Sequence, residues 1–372
     1  MRRTLSAAAL ATIALAACQD APTAGEEAGA RADAPSLYVV TFKRGVDVDG
    51  ATADLARTRG IGVQAKRHHA APGFTGYIPE EQLARIVTDP RVEIVEKDHI
   101  VTLGLPEQPS AQAKPGSGGG GAQSTPWGIT RVGGAGDGTG KTAWIIDSGI
   151  DLAHTDLNTS KNCHAAFGYT SPADGNGHGT HVAGTVAAKN NTQDVVGVAA
   201  GAYVCAVRVL GNSGSGSYSG IIAGVNYVGA NAGAGDVANM SLGGSGTNAT
   251  LEAAVADVAR LGVKMVLAAG NNGVHANNFT PARLNATNVY TISATASNDC
   301  MASFSNYGNP PVDYAAPGVS IVSTRRGGGT TSMSGTSMAA PHVAGILLLG
   351  AVRGNGTASC DPDGNPDPIA SR

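Results

Sequence analysis

The chain has 372 residues, enough for one large domain and a smaller one. A net charge of −3 and a charged fraction of 14% leave no basic footprint, which excludes nucleic acid as a partner. Glycine is abundant and aromatic residues make up only 4%, a balance that suits a loop-rich, tightly packed α/β protein.

The first stretch, MRRTLSAAALATIALAAC, carries two arginines, a short apolar core and small residues ahead of Cys18. That core is too short to span a bilayer and reads as a secretory signal. Leu15-Ala16-Ala17-Cys18 resembles a bacterial lipobox, making residues 1–18 a lipoprotein-type signal with Cys18 lipidated after cleavage. The alternative is an ordinary signal peptide cut near Ala17. No later segment is long and apolar enough to cross a membrane. Export permits disulfides. The four remaining cysteines allow three pairings; Cys163 with Cys205 and Cys300 with Cys360 is favoured because each pair falls in one region, with free buried thiols as the alternative.

A polar tether, 19–34, precedes a small α+β unit, 35–105. In that unit SLYVVTFK predicts a strand, DVDGATADLARTRG a helix, FTGYIP a strand, PEEQLARIVTDP a helix and VEIVEKDHIVTL a last strand. Residues 106–121 form a Pro/Gly-rich linker open to proteolysis. From 122 to 372 the pattern changes. Apolar β-rich runs (KTAWIID, YVCAVRVL, VANMSLG, VKMVLAAGN, NVYTISAT, VSIVST) alternate with helical stretches (THVAGTVAA, YSGIIAGVNYV, ATLEAAVADVARLG, SMAAPHVAGILLLGAV). Such alternation predicts an α/β fold, a parallel central sheet flanked by helices. Chemistry in such a fold gathers at the C-terminal ends of the strands.

AGDGTGKT, 135–142, imitates a phosphate-binding loop but has Ala135 in place of the first glycine and leads into a strand instead of a helix. Three other stretches carry more. WIIDSGID ends an apolar strand with Asp147, GHGTH opens a helix with His178, and SGTSMAAPHVAG starts an apolar helix with Ser337. Singly they read as a capping Asp, a loop His and an N-cap Ser. Together they supply the orienter, base and nucleophile of acyl transfer. VLAAGNNG ends another strand with Asn271, whose amide can bind an oxyanion, a contact worth about 2.7–4 kcal/mol in the transition state. His178 and His181 lack the glutamate of HExxH and a third ligand, which argues against zinc.

DSGID, GHGTHVAGT and GTSMAAPHVAG, in the order Asp, His, Ser, resemble the subtilisin family of serine proteases from about Ala122 to Leu349. The preceding unit resembles that family's inhibitory propeptide, VEKDHI included. The resemblance implies a parallel sheet flanked by helices and an acyl-enzyme mechanism carried by Asp147, His178, Ser337 and Asn271. His181 and His342 are then packed inside. It implies that Gly214, Ser215 and Gly216 on one side and Ser241, Leu242 and Gly243 on the other clamp an extended peptide substrate. Ala268, Ala269 and Gly270 would wall the S1 pocket, with Phe279 at its floor. None of these positions carries a carboxylate, so apolar or aromatic P1 residues are expected. Structural Ca²⁺ is implied at Gln123, Asp156, Lys189, Asn191, Gln193 and Val195, and a second ion at Thr287, Val289 and Asp313.

Two features depart from the family pattern. Only about 35 residues follow Ser337, so the last helices are expected to be missing or replaced by a Pro/Gly tail holding DPDGNPDP. The linker after the propeptide is long, and Leu103 or Leu105 is expected as the P1 residue of a self-cut, with trimming to about Ala122. The whole predicts a monomeric, self-processing secreted endopeptidase inhibited by its own propeptide. A lipid on the propeptide would tether the precursor to the membrane until the cut releases the protease outside the cell or into the periplasm.

Overall fold

A computed structural model of the chain describes residues 35–106 and 122–372. The lipobox Cys18, the tether and the body of the linker lie outside the described residues. Among the described residues no helix is long and apolar enough to cross a membrane.

The first unit is a four-stranded antiparallel sheet with two helices, Val48–Arg59 and Glu80–Val87. Alternation along Ser36–Phe42 puts Tyr38, Val40 and Phe42 on one face, where they pack with Leu55, Phe74 and Ile86. The opposite face leaves Thr41 beside Thr250 of the larger unit. Gly62–Arg67 is a strand that the sequence did not announce: four of its six residues are exposed, so no apolar alternation marks it. VEIVEKDHIVTL splits into two strands, Val92–Lys97 in this sheet and Ile100–Thr102, which leaves it and pairs with the larger unit.

The larger unit is built on a nine-stranded sheet. Its middle is a parallel run of Val312–Pro317, Val289–Thr295, Lys264–Ala268, Val237–Met240, Thr142–Asp147 and Tyr203–Arg208, in that spatial order. The period of two sends Ile145 to one face and Trp144 and Ile146 to the other. Helices His178–Ala187 and Thr336–Leu349 cover the first face; Tyr218–Asn231 and Ala249–Arg260 cover the second. Burial on both faces explains the near-continuous apolar strands.

Two expectations need correcting. VSIVST does not enter the central sheet; Ile321–Thr324 forms a hairpin with Thr330–Met333. Its place is taken by Val312–Pro317, hidden in the sequence by its mixed residues VDYAAP. At the C-terminus a β-hairpin, Arg353–Thr357 with Pro368–Ser371, extends the sheet in place of the expected Pro/Gly tail, through Ala315 opposite Ile369. The favoured cysteine pairing is present, with Cα separations of 5.3 Å for Cys163–Cys205 and 5.2 Å for Cys300–Cys360. The second bridge ties the hairpin to the body.

Candidate active site

Asp147 is the last residue of its strand and is fully buried. His178 opens the helix that follows, and its Nδ1 lies 2.9 Å from both carboxylate oxygens of Asp147. The close approach requires glycine at 179: a Cβ there would meet the Gly149 carbonyl at 2.1 Å. Burial works against a charged imidazole, yet Asp147 and then Asp174 outweigh it and hold the His178 pKa above its ordinary value. His178 Nε2 is buried and has no hydrogen-bond partner among the described residues.

Asp174 was not singled out from the sequence. Its Oδ1 accepts the Gly177 N–H and the Ser148 hydroxyl, and its Oδ2 accepts the Thr180 N–H. It therefore caps the His178 helix and fixes the entry of the imidazole. An aspartate four residues ahead of His178 was the available signal.

Ser337 lies in the first turn of the other helix on that face, 4% exposed, with its hydroxyl donating to the Ser241 carbonyl at 3.2 Å. Pro341, four residues on, has no N–H to give the Ser337 carbonyl. That carbonyl is taken instead by the Ser241 hydroxyl at 2.8 Å, itself held by Asn239. Asn271 follows the strand Lys264–Ala268. Its Oδ1 accepts the N–H and the hydroxyl of Thr336 at 2.8 and 3.0 Å, which fixes the amide so that Nδ2 donates elsewhere. Thr336 is a second group missed in the sequence, although it sits inside the GTS motif.

Nδ2 of Asn271 donates to the carbonyl of Gly104 at 2.8 Å. The tail of the first unit runs through this cleft. Ile100–Thr102 pairs antiparallel with Ser215–Ser217, and the Leu103 N–H donates to the Gly214 carbonyl at 3.0 Å. Val101 is buried in the cluster that holds Tyr218, Ile221 and Leu242. Beside Gly104 a cavity of about 230 Å³ is lined by Ser241, Leu242, Gly243, Ala268, Ala269, Gly270, Phe279 and Ser337. In this register the carbonyl on Asn271 is that of Gly104, between the two expected P1 residues Leu103 and Leu105, and Leu103 lies against Gly214.

Two carboxylates fasten the first unit farther out. Asp98 accepts the N–H and hydroxyl of Ser219, and Glu96 accepts the N–H groups of Ala249 and Thr250. Each sits at the N-terminus of a helix on the second face, where the dipole favours negative charge. Asp257 accepts the Ala71 N–H from the opposite side.

The other histidines behave as expected. His181 and His342 are fully buried and contact the Ile321 and Met338 carbonyls, each at 2.9 Å. Burial pushes their pKa values down to about 3 and about 4.

Among the described residues no three carboxylate, imidazole or thiolate groups gather as a metal site. The expected calcium residues are nevertheless close. Gln123 Oε1 accepts the Asn191 N–H at 2.5 Å, and Asn191 Nδ2 donates to Asp156 at 2.6 Å. Ala122 and Ser124 bridge to Gln193 and Val195, and the Lys189 N–H donates to the Asp156 carbonyl. Asp156 is fully buried, and burial pushes its pKa up to about 6, against which Asn191, the Val195 N–H and the charge of Lys189 pull only in part. Asp313 accepts the Thr291 N–H at 2.8 Å, two residues along the strand from Val289, and burial pushes it also to about 6. Thr287 lies just before that strand.

The chain is also similar to known proteins. The sequence profile of the subtilase family matches residues 138–352. The chain is 40% identical over 306 residues to alkaline serine exoprotease A of Vibrio alginolyticus, covering 78% of this chain and 53% of that protein. It is 42% identical over 284 residues to M-protease of Shouchella clausii, covering 75% of this chain and 68% of that one. Over 338 residues it is 36% identical to the cuticle-degrading protease of Metarhizium anisopliae, covering 86% and 81%. The chain thus spans about half the length of the Vibrio relative. A crystal structure of a cold-adapted subtilisin-like serine proteinase matches with a TM-score of 0.57 at 37% identity, over 65% of this chain and 96% of that one. On this profile and these identities, the chain belongs to the subtilase family.

Proposed function

We propose that this chain is the precursor of a secreted, calcium-stabilised serine endopeptidase that cuts itself free of its first unit and then hydrolyses polypeptides after apolar or aromatic residues. The observation that carries this reading is the chain's own tail in the cleft, with its Gly104 carbonyl on Asn271 Nδ2 beside the Ser337 turn. That is how a substrate carbonyl would lie.

In this reading Ser337 Oγ attacks the carbonyl carbon and His178 Nε2 takes its proton. Asp147 at Nδ1 holds the tautomer that leaves Nε2 free as a base and stabilises the imidazolium. Asn271, clamped by Thr336, and the Ser337 N–H stabilise the oxyanion. His178 then protonates the leaving amine, and water repeats the sequence on the ester. The cavity beside Gly104, apolar along Leu242, Ala268, Ala269 and Phe279, gives the P1 preference. A preference for lysine in kcat/KM across P1 residues would overturn that part.

The donor set around Asp156 suits Ca²⁺: a buried carboxylate whose pKa burial raises, two side-chain amides and backbone carbonyls. Gln123, Asp156, Asn191 and the carbonyls of Lys189, Gln193 and Val195 would hold one ion once the Asn191 amide turns its oxygen inward. Asp313 with the carbonyls of Thr287 and Val289 would hold a second. The ion neutralises buried charge and takes no part in the chemistry. Lipidation of Cys18 would keep the precursor on the membrane until cleavage; mature enzyme remaining in the membrane pellet would count against that.

Intact mass over time for the precursor and its Ser337→Ala variant tests the reading. Wild type should split ahead of Ala122 while the variant stays whole. Splitting of both at equal rates would show that Ser337 is not the nucleophile.

A further inference from the structure

Gly104 raises a question of its own. Its backbone is not in the left-handed region, and a Cβ built on it would meet nothing within 4 Å. The fold therefore does not require glycine here. Beside it lies the cavity of about 230 Å³, still open although the tail fills the rest of the cleft. The chain continues past the reaction centre: Pro106 Cδ lies 3.6 Å from where a Cβ would stand on Gly335, two residues before Ser337. Both sides of the Gly104–Leu105 bond thus lie along the catalytic groups.

We propose that the first cut falls between Gly104 and Leu105, and that the S1 pocket stays empty before and after it. The propeptide is then held by every contact except a P1 side chain. This rests on the reading of the chain as a self-processing peptidase and adds which bond is cut and how the inhibitor is released. Ser337 Oγ bonds to the Gly104 carbonyl carbon, and its proton passes through His178 to the Leu105 nitrogen as the C–N bond breaks. Water then hydrolyses the ester, leaving a carboxylate on Gly104 and restoring the Ser337 hydroxyl.

Afterwards the propeptide is retained by Val101 in its apolar pocket and by Asp98 and Glu96 at their helix N-termini. No side chain occupies S1. Burial of a large apolar side chain there would tighten the hold by about tenfold to a hundredfold. Glycine at 104 therefore sets the inhibitor to leave.

The test compares the full chain with its Gly104→Ala and Gly104→Phe variants, following intact mass and hydrolysis of a chromogenic peptide with Phe at P1. All three release the same mature sequence, so an equal final activity shows that the substitution has not spoiled folding. Wild type should give a first product beginning at Leu105. Gly104→Phe should cut at the same bond about tenfold faster. Its lag before peptide hydrolysis should lengthen by about tenfold or more, with Gly104→Ala between. A first wild-type cut at any other bond, or a lag unchanged by Phe, overturns the proposal. Absence of any Ser337-dependent cut, together with no peptide hydrolysis, overturns the reading beneath it, so the two failures are distinguishable.

Discussion

The two faces of the central sheet use the same architectural fact for different ends. On both, helices start at the C-terminal edge of parallel strands and present their N-termini there. On one face those first turns carry His178 and Ser337. On the other, the first turns of Tyr218–Asn231 and Ala249–Arg260 carry no chemistry and instead receive Asp98 and Glu96 from the first unit. On the proposed function one face serves reaction and the other restraint, and the strand Ser215–Ser217 is where the segment of the first unit crosses into the cleft. Apart from Asn271, whose Nδ2 also holds the Gly104 carbonyl, docking and catalysis rest on separate groups, so each should fail without the other.

The largest expected separation comes from Asn271→Ala. Removing one oxyanion donor should lower kcat by about 10²–10³-fold with KM little changed. The propeptide should still dock, since Val101, Asp98 and Glu96 are untouched. Kinetics on the mature enzyme with a co-migration assay on the precursor would check both halves. Equal losses in catalysis and docking would collapse the distinction.

The ion at Asp156 should act on the face that carries His178, because the segment Lys189–Val195 leaves directly from the His178 helix. With free Ca²⁺ at a hundred times its dissociation constant the stabilisation is about 2.7 kcal/mol. EDTA should therefore lower the Tm of the Ser337→Ala precursor, and Asp156→Asn should shrink that drop. An EDTA-insensitive Tm would remove the calcium reading.

Smaller still, and on the opposite face, Glu96→Gln with Asp98→Asn removes charge from two helix N-termini. Each such contact is worth about 0.3–1 kcal/mol where exposed and more when part-buried. The cut propeptide should dissociate about tenfold faster, with kcat of the mature enzyme unchanged. Progress curves for activity release would read the first and steady-state kinetics the second.

What was legible in the sequence follows the same division. Asp147, His178, Ser337 and Asn271 each sit at a strand end or helix start, places where local pattern and residue type speak together, and the structure gathers Asp147 and His178 directly. Thr336 and Asp174 escaped because their role is to orient another side chain, and no periodicity marks such a task. Val312–Pro317 and the hairpin Arg353–Thr357 with Pro368–Ser371 escaped for another reason. Their residues are mixed or exposed, and their strand character comes from the neighbours they pair with. The alignment of Gly104 with Asn271 could not be read at all, since register between distant segments depends on backbone pairing and not on the apolar residues nearby.

A last contrast lies within the face that carries His178 and Ser337. His178 is held above its ordinary pKa by Asp147, whereas His342, on the Ser337 helix, is buried with one nitrogen on the Met338 carbonyl and Nε2 without a partner. Its pKa is lowered to about 4. A histidine held neutral in the fold contributes stability that is fully present above the unfolded value near 6.5. Below that pH the unfolded chain binds a proton that the folded chain refuses, so stability falls as pH drops towards about 4. His342→Gln, made in the Ser337→Ala chain, should be less stable than its parent at pH 7.5. Between pH 6.5 and about 4 the gap should narrow by up to about 1.4 kcal/mol per pH unit, because only the parent carries this proton penalty. Measuring the difference between the two proteins at each pH cancels the titration of every other group, the carboxylates of Asp156 and Asp313 included. A gap that stays constant across that window would mean that His342 accepts its proton in the folded state. The helix carrying Ser337 would then hold a charge in its core that the geometry gives no partner for.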